Sequence, residues 1–340
     1  MQLVDGQWVA DPTPTSGEWQ RAPTVCRDWI RSDGSTPFTP EAGRYHLWLS
    51  WSCTWSQRTL VVRNLLGLQD ALSVSMAHWH RNDGGWWFPQ GIDALQPDAL
   101  QPREAFDPEQ GFVTADPERG LSLYKVYLAG SPRHTGRATV PVLWDRQLGR
   151  VVSNESSEIL RMLETELTAL QTEPIDLFPE GLRPQIEETN AWVYAGINNG
   201  VYKAGFAGSQ EAYEQAATAV FAALDRTDAI LGRQRYLCGD VLTEADVRLF
   251  PTLVRFDPVY FGHFRCNLRR IADYPNLGPY LRDLYQTPGF ADSVNLHATR
   301  LGYMGRSERL NPTRIIAAGP TVALDAAHDR DRLGPRRFSH

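Results

Sequence analysis

Lysine is nearly missing from this chain. Lys125 and Lys203 are the only two, so 32 of its 34 basic residues are arginine. Acidic residues outnumber basic ones, 40 to 34, and the net charge of −6 leaves no basic footprint for a nucleic acid. No apolar run approaches the roughly 20 residues that a membrane span needs. The start, Met1-Gln2-Leu3-Val4-Asp5-Gly6, has no basic region followed by an apolar stretch, so neither membrane nor secretory pathway is expected, and the cytoplasm is. Cysteine is scarce. Cys26, Cys53, Cys238 and Cys266 lie far apart, in neither disulfide-framework nor zinc-pair spacing, which predicts reduced thiols and no metal. His78 and His80 flank Trp79, but alternate spacing without Cys or acidic neighbours reads as a packed or solvated pair. Internal repeats and low-complexity blocks are absent too.

What remains is the composition of a globular protein, 42% hydrophobic and 22% charged, and at 340 residues two domains are expected. The first forty residues carry Pro, Gly, Ser and Thr clusters with little periodicity, which predicts an arm over 1–43. From Arg44 the patterns alternate. A strand (44–50) has Tyr45, Leu47 and Leu49 on one face. A helix follows Cys53, with Trp55, Thr59, Val62 and Leu66 on one stripe and Gly67 at the expected C-terminal cap. Next come a strand at 71–76, a long polar stretch, a helix at 121–128, strands at 139–144 and 150–153, and a helix at 155–170. That βαβ…ββα order predicts a thioredoxin-like domain over 44–170, with an insertion at about 78–120 covering a site. Beyond a linker at 171–176, only helical patterns appear, at 183–198, 210–231, 243–254 and 277–286. They predict an all-helical domain over 178–306 and a weakly patterned tail at 307–340. Thr243 and Asp246 have capping-box spacing.

Cys53 is the residue that carries most chemistry. A thiol where a strand runs into a helix meets unpaired backbone N–H groups and the positive end of the helix dipole, which can bring a cysteine pKa to about 3.5–7.5. The bland alternative is a buried structural cysteine. Pro141, at the head of the strand Val142-Leu143-Trp144, occupies the position where such domains carry a cis proline. That bond would turn the Val140 backbone toward an extended peptide lying beside the thiol; the alternative is an edge-strand proline. Ser153-Asn154-Glu155-Ser156 opens the next helix. Its N–H groups and the Ser156 hydroxyl suit a carboxylate and Glu155 an ammonium, a clamp for an amino-acid head group, against plain capping by Ser153 or Asn154.

Thiol, turned-out backbone and zwitterion clamp in this order have the layout of a glutathione transferase. The strings Arg44-Tyr45-His46-Leu47, Val140-Pro141-Val142-Leu143-Trp144-Asp145, Asn198-Asn199-Gly200-Val201-Tyr202-Lys203-Ala204-Gly205-Phe206 and Leu253-Val254-Arg255-Phe256-Asp257-Pro258-Val259-Tyr260 closely resemble the Xi class, the glutathionyl-hydroquinone reductases, over most of the chain. The resemblance implies a catalytic Cys53 that attacks the sulfur of a glutathionyl-hydroquinone, releases the hydroquinone and is freed from its mixed disulfide by a second glutathione. It implies that Trp86, Arg137, Val140, Pro141, Glu155 and Ser156 hold glutathione, and that Tyr194, Tyr260 and Tyr303 line the hydroquinone site of a homodimer. The family motif Cys-Pro-Trp-Ala stands here as Cys53-Thr54-Trp55-Ser56. Ser56 offers a hydroxyl expected to reach the thiolate and no resolving thiol, so a monothiol cycle is implied. The arginine bias reads as GC-rich coding, which leaves mycothiol or bacillithiol open as the small thiol. Two other readings stand beside this one: a deglutathionylating thioltransferase, and a non-catalytic assembly module.

Overall fold

The computed structural model describes residues 1–10, 17–81, 83–89, 121–306 and 309–339. Most of the insertion expected at 78–120 lies outside them. Two compact units result: the described residues of Met1–Thr13, Ala22–Pro174 and Ser293–Arg306, and those of Pro14–Arg21, Ile175–Asp292 and Ser307–His340.

The first unit opens with a hairpin, β1 (Gln2–Val4) and β2 (Gln7–Val9), paired antiparallel. Asp5 and Gly6 both have positive φ, 49° and 81°, and a Cβ on Gly6 would lie 2.2 Å from the Pro132 carbonyl oxygen. Only glycine fits there. This hairpin was not expected within the arm, although Asp-Gly between apolar pairs is a hairpin signal.

The main sheet holds β3 (Tyr45–Leu49), β4 (Ser73–Met76), β7 (Val142–Asp145) and β8 (Arg150–Ser153) in the order β4-β3-β7-β8. The β3–β4 pair is parallel and the others antiparallel, so the thioredoxin-like layout is present. Strands β5 (Trp87–Phe88) and β6 (Leu121–Ser122) form a small separate ribbon. All five residues of β3 are buried, not just the expected face. The second face is tolerated because His46 Nδ1 and Nε2 sit 2.8 and 3.0 Å from the hydroxyls of Ser73 and Ser75 on β4. Burial, then the charges of Arg146 and Arg63, push His46 well below its ordinary pKa, which keeps the ring neutral.

Helix α1 (Thr54–Leu65) ends where Gly67 takes a φ of +64°, as its position predicts. Helix α2 (Leu123–Gly130) follows β6. Helix α3 (Ser156–Thr165) stops short of Leu170, and a separate 3-10 turn spans Thr168–Leu170.

The second unit is built of α4 (Arg183–Val193), α5 (Gly200–Gly205), α6 (Gln210–Leu231), α7 (Glu244–Arg255), α8 (Phe261–His263) and α9 (Leu277–Tyr285). The pattern expected as one helix to Asn198 widens into a π-turn at Tyr194–Asn198. The Thr243–Asp246 capping box forms. Asp246 also accepts from the Leu237 N–H and the Tyr280 hydroxyl, at 2.9 and 2.6 Å, tying three segments to one buried carboxylate. The tail is anchored despite its weak pattern: Arg330, fully buried, donates to the carbonyls of Leu231, the last residue of α6, and of Gln234 and Arg235 just beyond it. Helix α10 (Leu296–Met304) was not expected as a helix, and although it lies within 178–306 it belongs to the first unit. Among the described residues no helix is long and apolar enough to cross a membrane.

Candidate active site

Strand β3 delivers the chain to a tight turn in which the Cys53 N–H donates to the Ser50 carbonyl, 3.0 Å away. Cys53 is the N-cap of α1, extended at φ −92° and ψ 116°, and its half-buried Sγ accepts the Ser56 backbone N–H at 3.4 Å. The same sulfur lies 3.3 Å from the Val140 carbonyl oxygen, to which the thiol donates. The helix start and the proline turn are therefore together, and the Val140–Pro141 bond is cis. One expectation needs correction. The Ser56 hydroxyl is turned away from sulfur and accepts the Ser50 N–H at 3.3 Å, so Ser56 reaches Cys53 only through its backbone.

Asn154 links the proline turn to the next helix: its side-chain NH2 donates to Thr139 Oγ1 at 3.2 Å and its Oδ1 accepts the Cys26 N–H at 3.2 Å. Asn154 is thus not the cap of α3, and neither is Ser153, whose hydroxyl accepts the Glu155 N–H. Glu155 itself is the N-cap. Its Oε1 accepts the Ser157 N–H and hydroxyl at 3.1 and 2.8 Å, and its Oε2 accepts the Thr24 hydroxyl at 3.0 Å. Burial pulls this carboxyl upward, but the bonds from Ser157 and Thr24 and the charge of Arg58 outweigh it and hold the group below its ordinary range. It is a carboxylate at neutral pH. The buried Ser156 begins the helix beside it.

Trp86, 6% exposed, has the Arg81 guanidinium carbon 3.8 Å from its ring centroid and that of Arg306 at 5.4 Å. Burial, then Arg306, push Arg81 below its ordinary pKa, while the Cys53 sulfur and the Tyr303 oxygen act on it in the opposite sense. The Arg81 and Arg306 guanidinium groups thus share the Trp86 ring. Arg137 is exposed and belongs to the same electrostatic group. Sequence reasoning missed Arg81, Arg306 and Thr24, which no motif marks.

The three tyrosines are placed differently. Helix α10 lies close against the cysteine turn: a Cβ on Gly302 would be 2.4 Å from the Ser52 Cβ, and the Thr299 hydroxyl donates to the Trp51 carbonyl at 3.1 Å. That contact brings the Tyr303 hydroxyl to 3.3 Å from Thr54 Oγ1, one residue past the thiol. Tyr194, in the second unit, is 41% exposed. Tyr260 has no exposed surface: its ring packs with Phe264 at 5.2 Å, and its hydroxyl is 3.5 Å from that of Tyr202, so it offers no face to a ligand in this conformation. The described residues contain no group of three or more His, Cys, Asp or Glu that would hold a metal.

Comparison with known proteins adds the following. Residues 52–166 match the glutathione S-transferase N-terminal domain and residues 210–283 its C-terminal domain. The chain is 44% identical over 339 residues to glutathionyl-hydroquinone reductase YqjG of Escherichia coli K12, covering 97% of this chain and 98% of that one. Among solved structures it is similar to a Xi-class transferase from Natrialba magadii, with a TM-score of 0.85 and 43% identity over 98% of this chain and 97% of that one. The glutathione-bound structure of YqjG superposes with a TM-score of 0.83 at 43% identity, covering 97% and 99%.

Proposed function

The chain belongs to the Xi class of the glutathione S-transferase family, and from that premise we propose that it is a glutathionyl-hydroquinone reductase with Cys53 as its nucleophile. The observation that carries the reading is the half-buried sulfur at the N-cap of α1, between the Ser56 N–H and the Val140 carbonyl. The Cys53 thiolate attacks the sulfur of the conjugate. An S–S bond forms, the sulfur–ring bond breaks, and the electron pair passes to the ring carbon, which takes a proton to give the hydroquinone. The thiolate of a second glutathione then attacks the glutathione sulfur of the mixed disulfide. Glutathione disulfide leaves and Cys53 is regenerated, so one conjugate and one glutathione yield one hydroquinone and one disulfide. We assign the ring proton to Tyr303, the tyrosine held beside Thr54.

Glutathione fits the clamp by its chemistry. Its γ-glutamyl end carries both an ammonium for Glu155 and a carboxylate for the Ser156 hydroxyl and the start of α3. Mycothiol, whose cysteine nitrogen is acetylated, has no ammonium to offer; bacillithiol keeps a free amino group but lacks the γ-glutamyl spacing. Purified protein incubated with the quinone conjugate of each thiol and no free thiol, followed by intact mass, should show one glutathione on Cys53 and none on Cys53→Ala. Absence of any adduct, or an adduct that survives Cys53→Ala, would overturn the assignment.

A further inference from the structure

We infer that Thr24, in the N-terminal arm, is a positioning residue for binding of the glutathionyl group: its hydroxyl fixes the Glu155 carboxylate in the orientation that receives the ammonium of the incoming conjugate. The inference rests on the reading of Glu155 as the ammonium clamp. Strand β8 is the edge of the main sheet, and the arm adds to it. The Asp28 N–H donates to the Val152 carbonyl at 2.9 Å, the Asn154 N–H donates to the Cys26 carbonyl at 3.1 Å, and Arg27 lies opposite Ser153 in an antiparallel bridge. The Cys26 N–H adds a bond to Asn154 Oδ1, and Arg27 forms an ion pair with Glu158 on the first turn of α3. An open sheet edge is thereby covered, and the chain direction carries Thr24 past the start of α3.

The consequence falls on Glu155. Its Oε1 is committed to Ser157, which caps the helix but leaves the carboxylate plane set by one oxygen only. The Thr24 hydroxyl, 3.0 Å from Oε2, supplies the second point. Each carboxylate oxygen has room for a further donor, so both anchors can persist while an ammonium binds. Thr24 and Glu155 are both half-buried, at the boundary a ligand can reach. The donated proton also favours the ionised form of the carboxyl.

The test uses the full-length protein with Thr24→Val, which keeps the β-branched shape and loses only the hydroxyl, and Thr24→Ser, which restores it. The rate is followed while the S-glutathionyl hydroquinone is varied at a fixed glutathione concentration, and again with a conjugate analogue lacking the γ-glutamyl amino group. In Thr24→Val the KM for the conjugate should rise about 5- to 10-fold with kcat nearly unchanged, and Thr24→Ser should restore it. The acid limb of kcat/KM should move to higher pH in the valine variant alone, because Glu155 loses a donor that favours its charge. With the amino-free analogue, wild type and Thr24→Val should coincide. An unchanged KM in Thr24→Val, or equal losses with both conjugates, would overturn the inference while leaving the proposed function intact. Wild-type protein that fails to turn over the glutathione conjugate would overturn both.

Discussion

Glu155 has two roles, and two substitutions separate them. As N-cap it satisfies α3, and as a carboxylate it should hold the ammonium of the thiol. Glu155→Ala removes the acceptor for the Ser157 N–H and hydroxyl and for the Thr24 hydroxyl. Loss of a cap costs about 0.5–2 kcal/mol, and the upper end, about 2 kcal/mol, applies because three donors share this one group. Glu155→Gln keeps an oxygen for Ser157, gives up the charge at the helix N-terminus, about 0.5 kcal/mol, and reverses the bond to Thr24, its amide NH2 donating to the hydroxyl oxygen. Binding should follow a different order. Both variants lose the charged partner of the ammonium, about 1.5–3 kcal/mol, so the KM for the glutathionyl conjugate should rise tenfold or more in each. Urea unfolding measures the first quantity and steady-state kinetics the second. The pH dependence gives a third check. Because the folded-state pKa lies below the unfolded one, the stabilisation is complete at neutral pH and is lost as pH falls through the folded value. The stability gap between wild type and Glu155→Gln should therefore close in acid, below the ordinary 4.5 of a glutamate. A glutamine variant with wild-type KM would refute the clamp and leave Glu155 a helix cap.

Two more predictions concern thiols and the turn. Burial pushes Cys26 and Cys238 up to about 11 and Cys266 to about 12, so alkylation at neutral pH followed by peptide mapping should label none of the three; label on Cys266 would mean that the second unit opens. Ser56→Ala should leave the rate of Cys53 alkylation unchanged, since the sulfur contact is through the backbone, yet destabilise the protein by about 1–2 kcal/mol because the Ser50 N–H loses its acceptor. A slowed alkylation in that variant would contradict the hydroxyl's placement.

The sequence by itself determined the elements that local chemistry dictates. Alternation marks β3, Gly67 ends α1 because its φ is positive, the Thr243–Asp246 spacing closes a capping box, and Pro141 marks the turn beside Cys53. These are short-range effects, written within a few residues. Tertiary structure decided everything that depends on which segments meet. Glu155 displaced Asn154 as cap because the Asn154 side chain is taken by Thr139 and by Cys26, 128 residues away. Tyr303 was brought to Thr54 by the packing of Gly302, and Arg306 was laid on Trp86. Such pairings are settled by the burial of distant surfaces and the need to satisfy every polar group within them, and no window of neighbouring residues contains that information.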